Sequence, residues 1–195
     1  SNRIIISFLS PSNCSALNIV KTINDKHMKA VRKVLIPTDF TVKSLNLMLH
    51  FIKNNTEDRF DILLAHGYSP SSSITDLLFF SKPKLISKLQ TSEFEESCQL
   101  IQNTYRSRLR RVQTDIITGF SKRYFDSYVE ANDIDLMVLP QDYKFKLSSS
   151  NAFDICPYIA KSKVEVVPLQ YTHKVVHELE KTEQVADLFL SNVGL

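Results

Sequence analysis

At 195 residues, 43% of them hydrophobic and 23% charged, the chain has the size of one domain with extensions and enough apolar side chains to bury a core. A net charge of +3 is far below the footprint of a dedicated nucleic-acid binder. No apolar run approaches the roughly 20 residues a membrane helix requires. Composition therefore points to a cytoplasmic protein that uses neither nucleic acid nor membrane as a partner. Cys14, Cys98 and Cys156 are too far apart for a zinc site or a redox pair and read as buried free thiols.

Residues 1–31 read as an N-terminal extension, with Leu17, Val20 and Ile23 at helical spacing after the turn signal of Pro11. Lys33-Val-Leu-Ile-Pro-Thr-Asp39 then holds an apolar run too short for a helix and too uniform for a strand with one wet face. It predicts a strand over Val34 to Pro37, buried on both sides, that delivers Thr38 and Asp39 to a loop. Leu45, Met48, Leu49 and Ile52 follow at i, i+3, i+4 and i+7, one buried face of a helix. Asp61 to His66 is a second buried strand, and Gly67, Pro70 and Ser71 to Ser73 mark a long polar loop.

From Leu77 to Leu89 an apolar stretch broken by Pro83 predicts a short helix and a surface crossing, with Phe79 and Phe80 lacking cover. Phe94, Cys98, Ile101, Tyr105 and Leu109 stripe the clearest helix. Val112 to Thr118 is a third strand, Gly119 a turn, and Phe120, Tyr124 and Tyr128 the face of another helix. Ile134 to Leu139 is a fourth strand. Ala152, Cys156, Ile159 and Ala160 mark one more helix, and Val164 to Leu169 a fifth strand. Over 171–195, Val176, Leu179, Ala186, Phe189 and Val193 predict an appended helix packed on the domain or on a partner.

Five strands alternating with four helical segments predict a doubly wound parallel sheet with helices on both faces, built as one α/β domain over residues 32–170. In such sheets ligands settle beyond the carboxyl ends of the strands. The loop directly after the fourth strand, where a phosphate loop is expected, carries no glycine.

Constellations elsewhere carry less chemistry. His173 and His177, four apart with Glu178 and Glu180 beside them, lack a third ligand and read as a solvated helix face. Arg106, Arg108, Arg110 and Arg111, read as helical, spread around the circumference as surface charge. There is no Gly-x-Ser-x-Gly turn and no cysteine placed near a histidine, so the sequence shows no nucleophile-plus-base pairing.

In order and spacing, Lys33 to Asp39, Leu63-Leu-Ala-His66, Gly119, Asp135-Leu-Met-Val138, Ser150-Asn-Ala152 and Val164-Glu-Val-Val-Pro168 resemble the universal stress protein family over about 140 residues. The resemblance implies a five-stranded sheet in the order 3-2-1-4-5 and a role in stress response. In the ATP-binding type, the loop after the fourth strand reads Gly, two residues, Gly, about nine residues, then Gly-Ser or Gly-Thr. Those glycines let backbone N–H groups converge on phosphate oxygens. Here they become Pro140, Tyr143 and Ser149. Proline has no N–H to donate, and tyrosine brings bulk where phosphates would lie.

The resemblance thus implies a binding or regulatory module of the type without ATP and without a cofactor. The alternative to this non-enzymatic module is a nucleotide-binding member that holds ATP and magnesium through a modified loop and hydrolyses the nucleotide slowly. Asp39 matches the family's acidic residue beside the adenosine, and with Thr38, Ser149 and Ser150 it makes the candidate ligand set at the crevice. The structural alternative is that Asp39 caps the first helix or its loop and Ser150 or Asn151 the next one. His66 also matches a family position and reads as a hydrogen-bonded structural residue. A third reading is a small-molecule sensor in the same crevice, with Tyr143 and Phe145 covering the ligand. Family practice further implies a homodimer through the fifth strand, Val164 to Leu169, and leaves room for an unidentified protein partner.

Overall fold

The computed structural model describes residues 31–56 and 58–171. The helix expected within residues 1–31 and the appended helix expected over 171–195 fall outside the described residues, as do His173 and His177. Among the described residues, strand β1 runs Val31–Pro37, β2 Arg59–Tyr68, β3 Leu109–Ile117, β4 Leu136–Gln141, β5 Ala152–Phe153 and β6 Glu165–Gln170. A short 3-10 turn, Val42–Ser44, leads into helix α1, Leu45–Asn54. It is followed by α2 Ile74–Phe79, α3 Lys82–Leu89, α4 Ser92–Thr104, α5 Lys122–Ala131 and α6 Cys156–Ile159.

The five long strands are parallel and lie in the order β3-β2-β1-β4-β6, which is 3-2-1-4-5 in chain order. The sixth, β5, adds two residues antiparallel to the end of β2. The apolar run predicts β1 well because Val34, Leu35 and Ile36 are wholly buried and point alternately to two cores. Val34 and Ile36 pack with Met48, Phe51, Phe94 and Ile101, whereas Leu35 packs with Phe125, Val129, Met137 and Ile159. Helices α1 and α4 thus cover one face of the sheet, and α5 and α6 the other.

Several elements depart from the sequence expectation. Strand β1 starts at Val31, so a boundary at residue 32 falls inside it; Arg32 and Lys33 hide the start because the first three residues are only half-buried. The clear helix ends at Thr104, and Leu109 opens β3 instead of continuing the stripe. The turn between them is pinned by Arg108, whose N–H donates to Tyr105 O at 2.8 Å and whose guanidinium donates to Ile52 O at 2.9 Å. Arg110 and Arg111 therefore lie on a strand, not on a helix. Arg110 forks onto Asp61 of β2, with Nε 2.7 Å from Oδ1 and Nη2 on Oδ2.

The stretch from Leu77 to Leu89 makes two helices. The break falls at Phe80–Ser81 and not at Pro83, which sits in the first turn of α3, where its missing N–H costs nothing. Ala152 belongs to β5, and α6 is a four-residue helix with Pro157 in its first turn.

Candidate functional site

The carboxyl ends of β1 and β2 define the crevice. Thr38 N–H donates to Ala65 O at 2.9 Å, extending the ladder between the two strands by one rung. The Thr38 side chain is buried, 2.8 Å from the Ser44 hydroxyl, and accepts from Phe40 N–H at 3.1 Å. Thr38 is thus committed to backbone and helix entry. Phe40 takes a left-handed φ of 58°, a conformation that costs a non-glycine residue about 1 kcal/mol or more. Burial against the His66 ring (5.3 Å) and the Phe94 ring (5.6 Å, edge-on) holds it there.

That turn aims Asp39 at the loop after β4. Its Oδ1 accepts from Thr41 N–H at 3.1 Å and from Thr41 Oγ1 at 2.6 Å. Its Oδ2 accepts from Tyr143 Oη at 2.9 Å and from Lys146 N–H at 2.8 Å. Four donors converge on one carboxylate that is 7% exposed, which satisfies its charge at low solvent access. Burial above all, with the negative charge of Asp39, holds the Tyr143 phenol well above its ordinary value against the opposing hydrogen bond to Thr41. Tyr143 is thus protonated and donates. Its ring meets Phe145 edge-on at 4.7 Å and Tyr171 at 4.6 Å.

Beyond Asp39 the same loop folds back over the strand ends. Phe145 and Phe153 pack against the two cores and, with the exposed Leu147, line a small open pocket of about 10 Å³ beside Pro37, Ala65 and His66. The loop returns to the sheet as β5: Phe153 pairs with Gly67 and Ala152 with Tyr68, and Ser69 N–H donates to Asn151 O at 2.8 Å. Gly67 permits this closeness, since a Cβ there would sit 2.4 Å from Phe153 O.

His66 is buried and its Nδ1 lies 2.8 Å from Thr38 O. Burial pushes the imidazole below its ordinary value, so the ring is neutral. A carbonyl only accepts, so Nδ1 carries the proton.

The structure brings Thr38 and Asp39 together at the crevice but places the two serines elsewhere. Ser149 forms the turn into β5, its hydroxyl accepting from Asn151 N–H at 3.2 Å and its carbonyl from Ala152 N–H at 3.0 Å. Ser150 is exposed and lines a separate groove of about 550 Å³ with Ser72 and Phe120. Neither Ser150 nor Asn151 caps a helix, because the chain goes into β5 there. Asp39 caps the loop and not the helix: it accepts from Thr41 N–H, and the cap of the 3-10 turn that leads into α1 is Thr41, which accepts from Ser44 N–H at 3.3 Å. The sequence reading missed Thr41, Lys146, Phe153 and Gly67. Only Thr41 carried a usable signal, a threonine ahead of the apolar helical stripe.

On the other side of Asp39 a groove of about 840 Å³ opens, lined by Tyr143, Lys43, Lys144, Lys146 and Glu93 among others. The two described cysteines are half-buried; burial pushes the Cys98 thiol up to about 12 and that of Cys156 higher still. Among the described residues no group of three His, Cys, Asp or Glu is placed to hold a metal, and no helix is long and apolar enough to cross a membrane.

Fold and site together define a doubly wound α/β domain whose loop after β4 folds back over the carboxyl ends of β1 and β2. No family model matches the chain, and no curated protein matches it. Among solved structures the chain is similar to universal stress protein UspA from Lactobacillus plantarum, with 13% identity over 72% of this chain and 99% of that one, at a TM-score of 0.46. A universal stress protein family protein from Arabidopsis thaliana with AMP bound matches with 14% identity over 72% of this chain and 92% of that one, at 0.40. A universal stress protein in complex with cAMP matches with 13% identity over 73% and 99%, at 0.38.

Proposed function

We propose that the chain is a universal-stress-protein-like binding or regulatory module that works without ATP, without a cofactor and without catalysing a reaction, in stress response and as a homodimer. The observation that carries this reading is the closure of the crevice by the chain itself. To admit a nucleotide, the loop would have to give up the Tyr143 and Lys146 bonds to Asp39 and withdraw Phe145 and Phe153 from the cores they pack on. It also offers no glycine backbone to phosphate, since Pro140 lacks an N–H and the Lys146 N–H is already spent on Asp39. The two described cysteines, Cys98 and Cys156, are held as thiols and offer no thiolate nucleophile.

The homodimer reading rests on β6, which is paired on one side by β4 and stands at the end of the strand order among the described residues. An edge strand offers unpaired N–H and C=O groups to a second copy. Pro168 removes one donor from β6, so the contact would draw on side chains as well as on a ladder.

The alternative is a nucleotide binder whose loop opens on demand, with Asp39 released to the ligand. Titration calorimetry of the purified chain with Mg-ATP separates the two. No heat up to millimolar ATP is expected; saturable heat at one site per chain overturns the proposal in favour of the alternative.

A further inference from the structure

Helix α2 stands proud of the domain: none of its six residues is buried, and Ile74, Leu78 and Phe79 are 78%, 77% and 79% exposed. Monomeric proteins seldom leave contiguous large apolar side chains in water, and such a patch marks a contact surface. Half-exposed Leu77 completes it. The next helix, α3, turns Leu85, Ile86 and Leu89 toward the core and leaves Lys84 and Lys88 exposed. The unit is an apolar finger backed by two uncommitted cations.

At the opposite pole lies a groove of about 500 Å³ between the end of α5 and the starts of β4 and β6. Its floor is Val129, Ile134 and Val164. Its rim holds Asp126, Glu130, Asp133 and Asp135 against the single cation Lys163. Asp126 is paired with Lys122, and Asp135 accepts Lys33 N–H; Glu130 and Asp133 are exposed acids. In a parallel sheet the finger follows the carboxyl end of β2, whereas the groove precedes β4 and β6. The ten residues of β2 set the poles roughly 30 Å apart, so a chain cannot seat its own finger in its own groove.

We propose that the α2 finger of one copy docks into the acidic groove of a second copy, apolar tip on apolar floor, with Lys84 and Lys88 against Glu130 and Asp133. The contact is heterologous, so it repeats head to tail and builds open-ended assemblies. It uses different surfaces from a two-fold contact through β6 and does not depend on that reading. Four apolar side chains on a six-residue helix bury well under the ~800 Å² per partner of a standard interface. Association is therefore weak, governed by concentration, and tuned by charge.

Sedimentation velocity over a concentration series at low salt tests this with two surface variants, K84E/K88E and E130K/D133K. The wild type is expected to show a mass average that climbs with concentration beyond a dimer. Each variant alone is expected to lose at least about tenfold in self-affinity, and an equimolar mixture of the two to recover it, because each charge-reversed surface then meets its complement. L78S/F79S, which removes apolar surface without touching the core, is expected to abolish the climb. A wild type that stays monomeric or stops at a dimer overturns the proposal. So does association untouched by these variants, which would leave the β6 dimer standing alone, or a mixture that fails to recover.

Discussion

Tyr143 Oη donates to Asp39 Oδ2 across 2.9 Å, joining residues 104 apart in sequence. The bond ties the loop after β4 to the end of β1, and with the Lys146 N–H it makes Asp39 the anchor of that loop. Removing the anchor leaves the Thr41, Tyr143 and Lys146 donors without their acceptor. Asp39→Ala is therefore expected to cost about 2–4 kcal/mol in urea denaturation, and Tyr143→Phe, which deletes one donor and keeps the ring packing, about 1 kcal/mol. Hydrogen exchange resolves the location: both variants should speed exchange over residues 142–151 before the β1 and β2 amides respond. Uniform acceleration across the sheet would mean that Asp39 supports the whole fold and not the loop alone.

Gly67→Ala tests the other end of the loop. The added methyl meets Phe153 O at 2.4 Å and its ring at 2.8 Å, a clash with backbone that β5 relieves only by leaving β2. The expected loss is about 2 kcal/mol, together with faster exchange at Phe153 and Ser69 and dye binding to the apolar surface that opens. An alanine variant as stable as the wild type, with protected Ser69, would show that β5 shifts without cost and does not hold the loop.

The architecture was readable because β1, β2 and β4 are buried on both faces, so Val34 to Ile36, Ile62 to Leu64 and Leu136 to Val138 write themselves as apolar runs. Edge strand β3 was legible only in part. Leu109 continues the helical spacing of Phe94 and Ile101, and nothing local reveals that Arg108 anchors a turn on Ile52 O, 56 residues away. Strand β5 was illegible for the same reason: two residues paired with Gly67 and Tyr68, more than eighty positions earlier, leave no periodicity. Tyr143 stood out in the sequence as a bulky residue in the loop after the fourth strand. That it would turn inward onto Asp39 was not legible, since the direction of a side chain in a loop depends on the partners it finds.

Acid lability should carry the mark of His66. Its value in the fold is depressed by burial from 6.5, so the unfolded chain binds its proton first and pulls the equilibrium toward unfolding as pH falls. The contribution is fully present above 6.5 and is lost progressively as pH drops through 6.5 toward the folded value. Asp61 acts lower down. The hydrogen bond from Arg110 leads the lowering of its carboxyl below 3.8 against the opposing effect of burial, so its contribution is present above 3.8 and fades only as pH falls through the folded value. Denaturation midpoints across pH should therefore decline below neutrality in the wild type and decline less in His66→Asn, which keeps an N–H for Thr38 O. Parallel curves for the two proteins would remove His66 from the account.

The sharpest prediction concerns what the loop covers. Pro140→Gly with Tyr143→Gly adds an N–H near the end of β4, where Pro140 lies in register with Leu169, deletes the phenol that holds Asp39, and clears the Tyr143 ring from its contacts with Phe145 and Tyr171. Asp39 keeps Thr41 as a partner and so remains ordered at the strand end. If the crevice beneath is otherwise that of a nucleotide binder, the double variant should acquire weak Mg-ATP binding that saturates within the millimolar range in calorimetry, weak because Phe145 and Phe153 still pack on the domain. It should also lose about 1–3 kcal/mol of stability through the missing hydrogen bond, the two added glycines and the lost ring contacts. A folded double variant that stays silent toward ATP would mean that β5 and the apolar loop side chains, not the two loop substitutions, are what closes the site.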